Sequence, residues 1–402
     1  MEIQHEMQTN GSPVSTIVGQ IQSNFSPFHF QSPSILGKLR QQSSSFPSSV
    51  QHFSHTAQGA TEHQVQMANS EVLKVIGPFG HIAPTYTLLT LSFPVEEESQ
   101  QGTIIEMLEK AANDIIEAYR WLAGQVITEG ATETSTGTFK IVRYPPHEGK
   151  SRFIHRKDCR DLCPSYQDLV EHQAPSSMLD GSILSPAYGF ANMYPDHVTK
   201  PVTSMQANFI KGGLLLTVAT YHSVMDANGN ELFIRQFASL CCGEKLSEEY
   251  IRWGNADQDT IVPPLKEGED VNTEIMLSIR KPSSLGDPSP IWPPPVSSES
   301  GNTWRTFRFS RSRIAALKVK AFMPEERYHV PYVSSDDAIT AFIWLGISIA
   351  RSAGHTENIS TRLIRAVNTR RRLNPPVHEG YMGHLLICCF SVRIMGLIKF
   401  FF

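Results

Sequence analysis

Several signatures that would assign a chemistry at once are missing from the 402 residues. There is no G-x-x-x-x-G-K-[ST] loop, no G-x-G-x-x-G, no H-E-x-x-H and no G-x-S-x-G. Nucleotide hydrolysis, Rossmann-type redox chemistry, zinc proteolysis and α/β-hydrolase chemistry therefore all lose support. An excess of one charge is missing too: 35 Lys and Arg stand against 39 Asp and Glu, a formal net charge of −4, which leaves no basic footprint for nucleic acid. Arg370, Arg371 and Arg372 form the tight basic triplet, for which a solvated or ion-paired structural use is expected. The six cysteines fall as Cys159/Cys163, Cys241/Cys242 and Cys388/Cys389, and vicinal pairs make a poor disulfide framework. With no charged-then-apolar leader at the start, the chain reads as a protein of the reducing cytoplasm.

What is present is a globular composition, 40% hydrophobic and 18% charged. The chain is long enough for two domains, since single cores stop growing near ~250–300 residues. Residues 1–70 are rich in Gln, Ser, Pro and His and cannot bury enough apolar surface to offset their ordering entropy, so they are expected to be disordered. Phe25, Phe28 and Phe30 within them fit either a docking motif or a plain tail. Order is expected from Val72, with a strand in IAPTYTLLTLSFPV. A capping box at Thr103-x-x-Glu106 is expected to open a helix that buries Ile104, Leu108, Ala111, Ile115, Tyr119 and Leu122 and is closed by Gly124. Short strands are expected in TFKIVRY and SRFIHRK. His155, Cys159 and Cys163 are spaced by four, but no second ligand pair has zinc-like spacing, so no metal is expected.

The stretch Met205–Gly243 organises the rest. It reads as a strand, a Gly212-Gly213 turn, a buried strand from Leu214 to Tyr221, a short loop and a helix carrying Leu232, Phe233, Phe237 and Leu240 on one stripe, capped by Asp226 or Asn228. His222 sits where the second strand ends, and Asp226 follows four residues on. By spacing alone this pair fits a satisfied core histidine beside a capping aspartate as well as a reactive imidazole. Further on, residues 255–300 turn polar and Pro-rich, as an interdomain connection does. Trp304–Phe309 is a strand candidate, and Ser310 is expected to cap a helix through about Met323. Ser334-x-x-Asp337 is expected to cap another, apolar nearly all round from Ala338 to Ile349 and hence buried. LIRAVNTRRRLNPP reads as a strand breaking at Pro375. The closing run LLICCFSVRIMGLIKFFF, interrupted by Arg393 and Lys399, reads as a core strand to about Phe390, with a membrane tail anchor as the alternative.

The segment FIKGGLLLTVATYHSVMDANG (209–229) resembles the catalytic segment of the BAHD acyltransferases, most closely their fungal trichothecene acetyltransferase-like branch. AYRWLAGQV (118–126), APSSMLDG (174–181), SSDDAITAFIW (334–344) and RRRLNPPVHEGYMGH (370–384) resemble further blocks of that family in the same order. The resemblance covers about residues 71–390 and implies an α/β fold of two chloramphenicol-acetyltransferase-like domains, each a mixed sheet flanked by helices, with the site in the channel between them. The implied division is an N-terminal domain over 71–254, a linker over 255–300 and a partial C-terminal domain over 301–402.

The implied activity is transfer of an acyl group, acetyl above all, from acyl-CoA to a hydroxyl or amine of a small secondary metabolite. The implied enzyme is a monomer needing no metal, membrane or nucleic acid. His222 would be the general base, since a neutral imidazole with a pKa near ~6.5 can take the proton of an attacking hydroxyl. Asp226 would pair with an arginine and shape the loop, Arg370 being one candidate partner. Cofactor-binding and acceptor-binding residues stay unassigned. Asn368 stands where the family usually has aspartate, and His384 where asparagine is usual. No Asp-Phe-Gly-Trp-Gly block occurs, so the second domain is expected to be incomplete. The competing expectation is a non-catalytic homologue that binds a ligand or partner, or a gene product without function.

Overall fold

Residues 203–221 hold the centre because both of their strands are buried along their whole length. The computed structural model describes residues 71–82, 85–132, 137–143, 153–187, 200–264, 307–321, 332–352 and 360–394, with the isolated residues 135, 189, 266, 268 and 269. The chain divides into two compact units. The first runs to Pro264 and also takes Arg370–Leu385; the second comprises Leu265–Thr369 and the residues from Leu386 onwards. The first unit thus runs past the boundary expected at residue 254. It also recruits a segment that interrupts the second unit in sequence.

In the first unit the elements are β1 (Val72–Val75), β2 (Tyr86–Pro94), α1 (Gln100–Ala118), β3 (Gln125–Glu129), β4 (Thr138–Val142), β5 (Ile154–Asp158), α2 (Tyr166–Glu171), α3 (Gly181–Leu184), β6 (Thr203–Ile210), β7 (Gly213–Tyr221), α4 (Ala227–Cys241), α5 (Glu248–Asn255) and α6 (Gln258–Ile261). Four strands form a mixed sheet in the order β2-β7-β6-β5, with β5 and β6 parallel and the other pairs antiparallel. A three-stranded antiparallel sheet has the order β1-β4-β3.

Strand periodicity separates the two faces of the central sheet. Met205, Ala207 and Phe209 of β6 and Leu214, Leu216 and Val218 of β7 enter the main core with Ile104, Leu108 and Ile115 of α1 and Phe233 and Phe237 of α4. On the opposite face Ile210 and Leu215 join a smaller cluster with Cys159, Leu169 and Leu184. The polar residues of that face are paired, as buried amides must be. Asn208 Nδ2 donates to the carbonyls of Leu184 (3.0 Å) and Leu215 (3.1 Å), and Gln206 Nε2 donates to that of Ile183 (2.9 Å). Gly212 turns the hairpin with a φ of +72°, a conformation that favours glycine.

Several local expectations shift. α1 starts at Gln100 behind Ser99 instead of at the Thr103 capping box. It ends at Ala118, after which a 3-10 turn, Arg120–Ala123, precedes Gly124. The buried residues were nonetheless read correctly: Ile104, Leu108, Ala111, Ile115, Tyr119 and Leu122 are all in the core. Part of the expected linker is folded, since α5 and α6 carry the first unit to residue 261.

In the second unit α7 (Arg311–Ala321) and α8 (Ser335–Ser352) precede an antiparallel pair, β8 (Ser360–Asn368) and β9 (Leu386–Ile394). Both expected caps form: Ser310 Oγ accepts from Arg313 N at 3.3 Å, and Ser334 and Asp337 cap each other. The expectation that α8 is buried fails. Phe342, Ile343 and Ile347 are exposed, because one helix and a two-stranded sheet, the other described elements of this unit, cannot cover a helix that is apolar nearly all round. β8 ends at Asn368, well before Pro375, because the chain leaves for the first unit at Arg370. The candidate strand at Trp304–Phe309 falls mostly outside the described residues, and 307–309 are not in a strand. Residues 1–70, most of 265–306 and 395–402 also lie outside them, with the expectations of a disordered tail, a linker and a C-terminal anchor that fall there. Among the described residues no helix is long and apolar enough to cross a membrane.

The recruited segment meets α4 at Gly229, where a Cβ would stand 2.0 Å from the carbonyl oxygen of Met382. Gly229→Ala is therefore expected to lower the free energy of unfolding by about 1–3 kcal/mol, read by urea denaturation. An unchanged midpoint would contradict this close approach.

Candidate active site

β7 delivers His222 to a fixed place. The antiparallel pairing with β2 runs to Tyr221, and the next amide, His222 N, donates to the carbonyl of Thr85 at 2.8 Å. A tight turn follows, with Val224 N donating to the carbonyl of Tyr221 at 3.0 Å. The turn is then closed by Asp226, the N-cap of α4, whose side chain accepts from Gly229 N at 3.0 Å. Asp226, not Asn228, is therefore the cap.

The Asp226 carboxylate is completely buried, and four donors converge on it. Its Oδ1 receives Gly229 N and Arg370 Nη2, each at 3.0 Å; its Oδ2 receives Arg370 Nη1 at 2.7 Å and Leu385 N at 2.8 Å. The forked guanidinium matches the carboxylate geometry. Arg370, itself 6% exposed, also donates from Nη2 to the carbonyl of Gly383 at 2.6 Å. The bridge thus ties the start of α4 to both ends of the segment 370–385. This is the pairing considered for Arg370 from the sequence.

The bridge also constrains the chemistry. Both carboxylate oxygens are occupied by donors that do not include His222, so Asp226 is not arranged to relay charge to the imidazole. His222 is partly buried, and its Nδ1 is buried without a hydrogen-bond partner. The imidazole of His384 lies beside it, with ring centroids 5.4 Å apart and planes tilted by 44°. Burial pushes His384 down to about 4; the Asp226 charge opposes this, while His222 and Arg370 add to it.

His155, Cys159 and Cys163 do not converge on a metal centre. The Cys159 thiol is buried against Asn208, 3.6 Å from its Oδ1, and burial pushes it up to about 11. Among the described residues no group of three His, Cys, Asp or Glu could hold a metal ion, and none of the six cysteines is in a disulfide. The sequence carried no signal for the backbone amide of Leu385 or for Gln258, whose Nε2 donates to the carbonyl of His384 at 2.7 Å. Only the fold brings such groups to the site.

Two outcomes follow for the buried charges. Asp226→Ala and Arg370→Ala are each expected to cost about 3–5 kcal/mol, because each strands its partner's charge. The double variant should lose less than the sum, as a double-mutant cycle by denaturant unfolding would read. Burial lowers His384 from the usual 6.5 of a histidine to about 4, so the unfolded chain binds the extra proton first on acidification. Its contribution to stability is present above pH 6.5 and lost as the pH falls towards 4. His384→Asn should flatten the pH dependence of stability in that window.

Comparison with known proteins places this geometry. The model of the trichothecene 3-O-acetyltransferase-like N-terminal domain matches residues 85–241, and that of the Transferase family matches residues 184–397. The chain is 36% identical over 319 residues to the trichothecene 3-O-acetyltransferase TRI101 of Fusarium sporotrichioides, covering 78% of this chain and 66% of that protein. It is 32% identical over 306 residues to the O-acyltransferase pigD of Monascus ruber, covering 75% and 66%. The chain thus spans about two thirds of the length of these curated relatives. Among solved structures, TRI101 of F. graminearum complexed with coenzyme A and deoxynivalenol superposes with a TM-score of 0.69 at 31% identity, covering 80% of this chain and 70% of that one. With a family model matching more than half of its length, the chain belongs to the Transferase family, that of the BAHD acyltransferases, and has a trichothecene 3-O-acetyltransferase-like N-terminal part.

Proposed function

We propose that this protein transfers an acyl group, acetyl in the first instance, from a coenzyme A thioester to a hydroxyl of a small secondary metabolite, with His222 as general base. The observation that carries the reading is the placement of His222. It is held at the end of a fully buried strand and followed by a turn locked through the buried Asp226–Arg370 bridge. The relatives add to it: two are named as an O-acetyltransferase and an O-acyltransferase, and a neighbour of known structure is complexed with coenzyme A and deoxynivalenol.

In the proposed reaction His222 takes the hydroxyl proton as the acceptor oxygen attacks the thioester carbonyl. This gives a tetrahedral oxyanion and an imidazolium. Collapse re-forms the carbonyl, breaks the carbon–sulfur bond and expels the CoA thiolate. The proton held on His222 then passes to that sulfur, so the products are the ester and free CoA with the enzyme unchanged. Asp226 contributes by holding the turn, and Arg370 by neutralising Asp226. Neither enters the proton path.

Replacing His222 by Ala is expected to lower the turnover number by about 10²–10⁴-fold, with little change in the unfolding midpoint. The assay follows release of CoA thiol from acetyl-CoA in the presence of small alcohols. A His222→Ala chain that releases CoA as fast as the parent would overturn the base assignment.

A further inference from the structure

Gln258 opens α6 where three parts of the chain meet. It is 6% exposed, and both ends of its amide are used: Oε1 accepts from Phe79 N at 3.2 Å, and Nε2 donates to the carbonyl of His384 at 2.7 Å. A backbone N–H can only donate and a carbonyl can only accept, so the amide is satisfied in this one orientation and not in the flipped one. The backbone leading to Gln258 is anchored in turn. Lys74 of β1 donates to the carbonyls of Asn255 (3.0 Å) and Ala256 (2.8 Å) and lies 3.6 Å from a carboxylate oxygen of Asp257.

Each partner of Gln258 leads to His222 by its own route. Phe79 belongs to the 3-10 turn Pro78–Ile82, which presses on the residue after His222: a Cβ at Gly80 would collide with the carbonyl of Ser223. A Cβ at Gly77 would likewise run into the Gln258 amide, so the strand-to-turn connection fits only as glycine. His384 belongs to the recruited segment. Its neighbour Leu385 donates to Asp226 Oδ2 at 2.8 Å, and its own ring lies beside that of His222, with centroids 5.4 Å apart. Hydrogen bonds and close approaches thus form a closed circuit that runs from Gln258 through Phe79 and Gly80, Ser223 to Asp226, and Leu385 and His384 back to Gln258. His222 immediately precedes the middle part of it.

We infer that Gln258 is a positioning residue for His222, its amide tying the turn 78–82 to the segment 383–385 and so fixing the surroundings in which the imidazole is held. The Asp226–Arg370 bridge joins the turn after His222 to the recruited segment, and Gln258 joins the third part, the 3-10 turn, to that same segment. Without the tie, Phe79 N and His384 O lose their partner, and the backbone that sets the place of the neighbouring ring and of Ser223 is free to shift. A reactive group needs such support from the residues around it, and a misplacement of about 1 Å is enough to cost roughly 10²-fold in rate. The inference rests on His222 being the base, but one arm of its test does not depend on turnover.

The test uses two variants of the full chain. Gln258→Met keeps the length of the side chain and removes both hydrogen bonds. Gln258→Asn keeps the amide but shortens its reach by about 1.5 Å, one carbon–carbon bond, so that it cannot span both partners. In the CoA-release assay with acetyl-CoA and small alcohols, each is expected to lower kcat by about 10²-fold with KM for acetyl-CoA unchanged, the pattern of a lost alignment and not of a lost binding contact. Independently of turnover, the His222 ring signals in spectra of the chain carrying nitrogen-15-labelled histidine, assigned by their loss in His222→Gln, are expected to move in both variants. Parent kcat or parent His222 signals in Gln258→Met would overturn the inference, as would parent values in Gln258→Asn. Should Gln258→Met fail to fold, Gln258→Asn decides. If the parent chain itself shows no turnover, the proposed acyl transfer falls, and the His222 signals alone decide for or against positioning by Gln258.

Discussion

A carboxylate removed entirely from water must find partners for its charge, and in this protein that requirement shapes the site. Asp226 is answered by the two nitrogens of Arg370, by the amide at the start of α4 and by the amide of Leu385. Taking two charges out of water costs several kcal/mol each, roughly what their attraction returns, so such a bridge is weak as a net source of stability. Its effect is on uniqueness. A bidentate fork with two further backbone donors accepts one arrangement of three chain segments, because any other leaves a buried charge short of partners.

The arrangement so selected joins residues far apart in sequence. Asp226 belongs to the turn between β7 and α4. Arg370 and Leu385 bound the segment that leaves the second unit, in sequence, after β8 and re-enters it at β9. Small residues let the segments approach: a Cβ at Gly229 would meet Met382 and one at Gly80 would meet the carbonyl of Ser223. His222 sits between a hydrogen bond from the end of the sheet and this locked turn. Its backbone therefore has little freedom, while its side chain remains partly exposed.

The hairpin and helix around His222 were legible in the sequence because every local signal agreed: an apolar run of strand length, a glycine pair for the turn and an Asp ahead of an amphipathic stripe. The core of α1 was equally legible from its 3.6-residue period. Its start was not, since Thr103-x-x-Glu106 satisfies the capping pattern one turn inside a helix that begins without a side-chain cap at Ser99. The burial of α8 was misread for another reason. An apolar composition states what a helix prefers to bury, whereas exposure depends on what the fold sets against it, and Phe342 and Ile347 remain uncovered. Within the site, Arg370 could be nominated because guanidinium and carboxylate are a known match. The contributions of Leu385 and Gln258 rest on a backbone amide and a neutral amide side chain, which carry no pattern in sequence.

The place of Asp226 in the site follows from hydrogen-bond accounting. A carboxylate beside a catalytic imidazole is commonly read as its orienting partner, but a carboxylate already receiving four donors has no capacity left for a fifth that matters. His384 is flanked by two of the atoms that satisfy the Asp226–Arg370 pair, and its basicity is depressed by its own burial. The buried bridge therefore meets His222 only through geometry: it locks the turn that follows the imidazole and places the segment whose His384 ring lies beside it.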